Sequence, residues 1–222
     1  MILLLTKNDI WSARAAESAR ALFGEQLIWE KGAVGDAAPP GFSLPQYRAI
    51  FSFLSPWIVP ADLLEKSALS LNFHPGSCDY PGIGCYNFAL YEEAAQFGPV
   101  CHHMLPKVDS GTVVKEILFP VLPSDTVETL KLNTMVAMLA LFNDIMTLIA
   151  ANKPLPISPR QWTRPAFTRR QLNALCEITP DMSQEEAARR IRATTYPGYP
   201  GPYLLKGSEK LYYPVPPGPA LA

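Results

Sequence analysis

Apolar residues recur along the chain as short blocks that alternate with longer mixed segments. The four blocks nearest the N-terminus are five to seven residues long and cover residues 1–6, 26–30, 48–54 and 68–74. Apolar runs of this length predict buried β-strands. Residues 7–24 separate the first two blocks, are rich in Ala and Arg at helical spacing, and end at Gly24. This combination predicts a helix with a glycine stop.

The alternation continues through the middle of the chain. Helices are predicted at residues 59–67 and 85–94, and strands at residues 100–105 and 111–121. A long helix is predicted at residues 124–151, with Ser124 or Asp125 as its N-cap. Strands that alternate with helices indicate an α/β domain, in which a mostly parallel sheet is flanked by helices.

The most apolar long window, residues 135–151, raises the question of a membrane span. It is interrupted by Asn143 and Asp144. It is also short for a helix that needs about 20 apolar residues to cross a bilayer. We therefore predict that it is a buried core helix.

The composition changes in the last third of the chain. Residues 152–170 are rich in Pro and predict an irregular segment. Residues 183–194 predict an amphipathic helix that Ser183 opens, and residues 196–219 predict turns with a hairpin. The chain is therefore expected to consist of a catalytic domain of residues 1–151 and a small C-terminal helix-hairpin extension of residues 152–222.

Composition and charge narrow the classes of partner. Of the 222 residues, 48% are hydrophobic, which is typical of a soluble protein with a substantial core. The formal net charge is −1 without a long run of like charge, so we expect neither a nucleic-acid nor a membrane partner.

The four cysteines form no Cys-x-x-Cys pair and are expected to be free thiols. The N-terminal run lacks a basic segment and a cleavage site, so we expect a cytoplasmic protein.

Side chains of catalytic type lie at the end of the strand predicted at residues 68–74. Asn72 and His74 are two positions apart on an extended chain, so their side chains point the same way. An amide beside an imidazole can hold a carbonyl oxygen that becomes negative. A carboxylate such as Asp109 could orient the imidazole, raise its pKa and take a proton from an attacking amine. Together these groups suit acyl transfer without a covalent enzyme intermediate.

Other chemistries lack their usual motifs. No G-x-G-x-x-G follows the first strand, and the sequence contains neither a P-loop nor G-x-S-x-G. A dinucleotide grip and an activated serine are therefore not supported. His74, His102 and Asp109 could also be read as metal ligands. Because acyl transfer needs no metal, we expect none.

Two stretches taken together, "LNFHPG" with "YPGIG" and "GPVCHHMLPKVDSG", resemble the folate-dependent formyltransferase family. The family pattern runs Asn-x-His-Pro, a Pro-rich loop, a His, and Asp-x-Gly seven residues after that His. The matching positions are Asn72, His74, Pro75, Tyr80, Pro81, Gly82, His102, Asp109 and Gly111. The likeness covers roughly residues 45–150, is weaker over 189–213, and is greatest to the sugar-nucleotide N-formyltransferases.

The resemblance implies a Rossmann-like formyltransferase fold and N10-formyltetrahydrofolate as the cosubstrate. It implies that Asn72 and protonated His74 stabilise a tetrahedral oxyanion, while Asp109 keeps His74 charged and carries the amine proton. The residues expected to contact folate are Leu54, Ser55, Trp57, Ile58, His102 and Val108. The candidate acceptor contacts are Lys7, Asn8, Tyr80, Pro81 and Gly82, although Lys7 and Asn8 could equally be ordinary loop residues.

The resemblance favours a nucleotide-linked amino sugar as the acceptor, in surface polysaccharide (O-antigen) biosynthesis. A transfer RNA would need a basic surface, and enzymes for glycinamide ribonucleotide normally lack an extension like residues 189–213. One alternative is another small amine, such as an amino-acid derivative or glycinamide ribonucleotide. A second alternative, of another class, is a catalytically inactive folate- or nucleotide-binding protein. The assembly state stays open, a homodimer included.

Overall fold

Eleven strands and six α-helices occur over residues 1–44 and 46–213, which are the residues that the computed structural model describes. The strands are β1 (Ile2–Lys7), β2 (Leu27–Gly32), β3 (Ala49–Phe53), β4 (Ser70–His74), β5 (Gln96–Phe97), β6 (Val100–His103), β7 (Val113–Glu116), β8 (Phe119–Pro120), β9 (Glu177–Ile178), β10 (Tyr203–Lys206) and β11 (Glu209–Tyr212). The helices are α1 (Ile10–Phe23), α2 (Ala61–Glu65), α3 (Cys85–Tyr91), α4 (Val127–Ala150), α5 (Arg169–Leu175) and α6 (Gln184–Thr194).

A six-stranded sheet in the order β2-β1-β3-β4-β6-β7 forms the centre of the fold. Its first four strands are parallel, as predicted, and β6 and β7 are antiparallel. The mostly parallel α/β class is therefore confirmed. The antiparallel pairing of β4 with β6 sets Asn72 opposite His102, and this register builds the site described below.

The prediction of a single strand at residues 111–121 was wrong, because the chain turns within this range. β7 pairs with β6 in the central sheet, whereas β8 pairs with β5 in a separate two-stranded sheet. The break follows from close backbone packing at Gly98. A Cβ there would lie 1.9 Å from the carbonyl oxygen of Ile117, so the two backbones meet where the strand would otherwise continue.

Helix α4 covers one face of the sheet and confirms the predicted core helix. Phe142 lies in the centre of this contact, with its ring centroid 5.3 Å from that of Phe53 and 4.9 Å from that of Phe73. The helix is 24 residues long and by length and composition alone could cross a membrane. The face that packs on the sheet instead includes the fully buried residues Met138, Leu141, Phe142, Ile145 and Met146.

The N-cap of α4 is Thr126, not Ser124 or Asp125 as predicted. The Thr126 hydroxyl accepts a hydrogen bond from the backbone N–H of Thr129, and the Thr129 hydroxyl donates to Asp125. The Asp125 carboxylate also accepts from the N–H of Leu122. Asp125 therefore stabilises the turn before the helix, and the next residue, Thr126, is the N-cap.

The C-terminal part of the chain contains one helix that the sequence pattern did not reveal. Helix α6 begins after its predicted cap Ser183, and β10 and β11 form the predicted hairpin. Residues 214–219 of that predicted segment, and 220–222 of the predicted extension, lie outside the described residues. Helix α5 was not predicted, although a capping box of Thr168 and Gln171 opens it directly after the Pro-rich segment.

Replacing Phe142 by Ala should lower the free energy of unfolding by about 3–5 kcal/mol, because the cavity would open between helix and sheet. Urea denaturation measures this change. Val136→Ala is the matched control on the same helix, since Val136 is 56% exposed and should cost less than about 0.5 kcal/mol. Equal effects of the two variants would contradict the packing of α4 on the sheet.

Candidate active site

A cavity of about 270 Å³ opens at the carboxyl ends of β3 and β4. This edge is where ligands bind in open α/β sheets. Strand β4 contributes Asn72 and His74, β6 contributes His102, and the turn after β6 contributes Asp109. The predicted strand-end location of the site therefore coincides with a cavity that contains all four side chains.

Asp109 is the centre of this cluster. Its Oδ2 atom lies 3.3 Å from Nδ1 of His74 and accepts the backbone N–H of Gly82 at 2.8 Å. Its Oδ1 atom lies 3.3 Å from Nε2 of His102 and 3.5 Å from the Asn72 amide nitrogen, which donates to it. Asp109 has a φ of +45°, a left-handed conformation that costs a non-glycine residue about 1 kcal/mol or more. The surrounding contacts hold the carboxylate in this strained position.

The charge of Asp109 is retained although the side chain is buried. Burial raises the pKa of the carboxyl group, but His74, His102 and the Gly82 N–H outweigh burial and lower the pKa to about 2. Donors to a carboxylate favour its ionised form. Asp109 is therefore a carboxylate throughout the physiological range.

Both ring nitrogens of His74 face oxygen atoms. Nε2 donates to the carbonyl oxygen of Tyr80 at 3.1 Å, and Nδ1 faces Asp109. Burial nevertheless lowers the pKa of His74, and it outweighs the opposite effects of Asp109 and the Tyr80 carbonyl. The imidazole is therefore largely neutral at neutral pH. Once protonated, it would donate from both nitrogens, so the pair of His74 and Asp109 is arranged to take up one proton.

His102 and Asn72 form the second layer of the cluster. Nδ1 of His102 donates to the backbone oxygen of His103 at 2.8 Å, which leaves Nε2 facing the Asn72 amide at 3.1 Å. Asn72 therefore contacts both His102 and Asp109 and is half-buried beside the cavity. An amide N–H held in this way can be turned toward an oxyanion in the cavity.

All six residues expected to contact folate line the same cavity, namely Leu54, Ser55, Trp57, Ile58, His102 and Val108. Ile58 and Val108 are 71% and 48% exposed, and Leu105 beside them is 52% exposed. An exposed apolar rim around a polar interior is typical of a small-molecule site. The folate contacts themselves stay predictions.

The candidate acceptor contacts are distributed differently. Gly82 lines the cavity, whereas Tyr80 and Pro81 are buried and are not among the described residues that line it. Tyr80 reaches the cluster through its carbonyl oxygen, which accepts from His74. Lys7 forms an ion pair with Asp9 at 2.9 Å, at the start of α1. Lys7 and Asn8 are not among the described residues that line the cavity. Their acceptor roles, and those of Tyr80 and Pro81, stay predictions.

The sequence patterns missed two residues near the cluster. Trp162 comes from the segment predicted to be irregular, and its ring stands edge-on to His102 at 5.0 Å between centroids. Arg160, from the same segment, pairs with Glu116 at 2.9 Å and with Asp79 at 2.7 Å. The only signal for these residues was a Trp and an Arg within a Pro-rich stretch.

Among residues 1–44 and 46–213, no group of three His, Cys, Asp or Glu side chains could hold a metal ion.

No protein-family model matches the sequence. Solved structures do match. A sugar N-formyltransferase from a Shewanella species is 16% identical with a TM-score of 0.78, over 96% of both chains. A 4-N formyltransferase from Francisella tularensis is 20% identical with a TM-score of 0.77, over 96% of this chain and 95% of that one. The chain has the formyltransferase fold.

A third structure with this formyltransferase fold was solved with ligands. It is the N-formyltransferase from Helicobacter canadensis in complex with folinic acid and dTDP-3-aminofucose. It is 18% identical with a TM-score of 0.69, over 87% of this chain and 80% of that one. At such identities the likeness establishes the fold, and the activity rests on the site.

The lowered pKa of Asp109 makes a prediction for stability. A carboxyl group whose pKa falls from 3.8 to about 2 on folding stabilises the fold above pH 4, by about 2 kcal/mol, and this contribution is lost as the pH falls toward 2. Asp109→Asn should therefore be less stable than the unchanged protein at about pH 6, and the difference should shrink at about pH 3. Urea denaturation at both pH values tests this.

Asp62→Asn is the control for this prediction. The Asp62 carboxylate is exposed and pairs with Lys66 at 3.5 Å, so this variant should show little difference at either pH. If the deficit of Asp109→Asn were the same at both pH values, the carboxylate would not be stabilised by folding and the electrostatic account of the site would be wrong.

Proposed function

We propose that the chain is an N-formyltransferase, which transfers the formyl group of N10-formyltetrahydrofolate to the amine of a nucleotide-linked amino sugar. The observation that carries the proposal is the group of half-buried Asn72 with buried His74 and Asp109, which lines a cavity with an apolar rim. This group supplies a proton acceptor and an amide donor together, which amine acylation needs.

In the proposed reaction, the acceptor amine attacks the formyl carbon, and a C–N bond forms as the carbonyl oxygen becomes negative. The amine proton passes to the pair of His74 and Asp109, whose facing atoms are 3.3 Å apart. The resulting imidazolium donates to Asp109 and to the Tyr80 carbonyl, and its charge stabilises the oxyanion together with the Asn72 amide. The intermediate collapses when its bond to N10 breaks, and N10 takes the proton.

The amino-sugar acceptor is favoured by the fold comparison and by charge. Two of the matching structures are a sugar N-formyltransferase and a 4-N formyltransferase, and the third was solved with a nucleotide-linked amino sugar and a folate compound. The net charge of −1 gives little attraction for transfer RNA, whose binding depends on basic side chains.

The test is to incubate the protein with N10-formyltetrahydrofolate and a panel of nucleotide-linked amino sugars, and to follow folate release by absorbance. Asn72→Ala and Asp109→Asn should each lower kcat by about 10²–10³, because an oxyanion donor or the proton-accepting pair is lost. His103→Gln is the matched control on β6. It keeps the backbone oxygen that His102 contacts and should leave turnover unchanged.

Each other outcome has a definite meaning. Wild-type-like kinetics of Asn72→Ala or Asp109→Asn would contradict the proposed mechanism. Turnover with a free amino acid but with no sugar would replace the acceptor with another small amine. Folate binding without transfer to any amine would show an inactive binding protein on this fold.

A further inference from the structure

Residues 158–168, here called the crossing segment, run over the loop of residues 75–84 that follows β4. Backbone hydrogen bonds join the two along their length. They are Thr163 N–H to Cys78 O at 3.1 Å, Phe167 N–H to Pro81 O at 2.8 Å, and Ile83 N–H to Phe167 O at 2.9 Å. The crossing segment therefore holds in place the loop that presents the Tyr80 carbonyl to His74 and the Gly82 N–H to Asp109.

Trp162 is the point at which the crossing segment reaches the candidate active site. Its indole ring stands edge-on to His102 and to His74, with centroid distances of 5.0 Å and 6.0 Å. Its Nε1–H donates to the carbonyl oxygen of Gly111 at 2.9 Å. Trp162 is not among the described residues that line the cavity; it packs beside the imidazoles against the buried cluster of Cys78, Val100 and Val113.

The hydrogen bond from Trp162 to Gly111 restrains the turn that also contains Asp109, two residues earlier. A Cβ on Gly111 would lie 1.8 Å from the backbone oxygen of His103, so the turn is pressed against β6. Trp162 adds a second contact to this turn, through the carbonyl oxygen of Gly111. Asp109 has a left-handed backbone, and such a conformation persists only where surrounding contacts hold it.

We propose that Trp162 is a positioning residue of this site, which fixes the Asp109 turn through its indole N–H and excludes water from His74 and His102 through its ring. The proposal rests on the proposed function for its effect on turnover. Its effect on the histidines follows from contacts within the protein and does not depend on any substrate.

Ion pairs fix the position of the tryptophan itself. Arg160 bridges Glu116 on β7 and Asp79 in the loop, at 2.9 Å and 2.7 Å. Glu116 also accepts the backbone N–H of Cys78 at 2.7 Å. The crossing segment is thus attached to the sheet and to the loop only two residues before Trp162, which limits the movement of the indole.

The indole ring of Trp162 matters because burial has the largest effect on the pKa of His74. The groups that face His74 are Asp109, His102, the Tyr80 carbonyl and, across Gly76, Cys85. Burial raises the pKa of Cys85 to about 12, so this thiol is neutral and Asp109 is the only anion among them. Removing the indole would admit water, and the pKa of His74 would then rise toward its ordinary value.

The experiment measures the pKa of each histidine by NMR in the free protein, in Trp162→Leu and in Trp162→Phe. Only three histidines occur in the chain. His103 is an internal control because, among the described residues, the imidazoles that stand against the indole are those of His74 and His102. In Trp162→Leu, the pKa of His74 should rise by about 0.5 or more. In Trp162→Phe, which keeps a ring, it should change by less than about half of that.

Turnover separates the two contributions of the indole. Trp162→Phe loses the bond to Gly111, so kcat should fall about two- to tenfold while KM for the folate changes less than about threefold. Trp29→Phe is the matched control, since Trp29 also donates one indole hydrogen bond, to Thr6 at 2.9 Å, away from the cavity. It should leave both constants and the pKa of His74 unchanged.

An unchanged pKa of His74 in folded Trp162→Leu would overturn the proposal. If that variant does not fold, the unchanged protein still decides, because the ring contacts predict a nuclear Overhauser effect between the indole and His102. The lack of this effect would equally overturn the proposal. Since neither NMR result needs a substrate, failure of the proposed transferase activity is distinguishable from failure of this inference.

Discussion

The ionised carboxylate of Asp109 is the interaction on which the site depends. A buried carboxylate is stable only when donors replace the water that it has lost. Here the donors come from separate parts of the chain, Asn72 on β4 and the Gly82 backbone in the loop, and the imidazoles of His74 and His102 lie 3.3 Å from the carboxylate. Any change that moves one of these parts leaves the charge incompletely solvated, so the geometry of the site and the stability of the fold are linked.

The topology of the central sheet brings these groups together. Parallel β3 and β4 end at the cavity, while antiparallel β6 runs back beside β4 and sets His102 opposite Asn72. The turn after β6 can then return Asp109 to the end of β4. Because β6 is antiparallel to β4, its first residue, Val100, pairs with His74 at this edge, and His102 lies two residues further along, opposite Asn72. The antiparallel pairing therefore sets the register that brings His102 into the cluster.

The sequence alone predicted the parts of the site that are local in the chain. Asn72 and His74 are two residues apart on a strand, and a period of two places them on one face. Asp109 was a candidate because it follows another predicted strand, and the family pattern then matched it to His102 at a spacing of seven residues. Trp162 and Arg160 could not be predicted, because their roles come from contacts with residues more than 40 positions away. Long-range contacts of this kind leave no periodic pattern.

The pKa of His74 shows why local reasoning about charge was also incomplete. A carboxylate neighbour suggests a protonated imidazole, and Asp109 does act in that direction. Burial acts against it and is larger. A resting neutral imidazole is nevertheless the more useful form, since a histidine that is already protonated cannot take a proton from the attacking amine. Burial by surrounding groups, the indole of Trp162 included, therefore prepares His74 as a base, and its two oxygen partners stabilise the cation only after the proton has arrived.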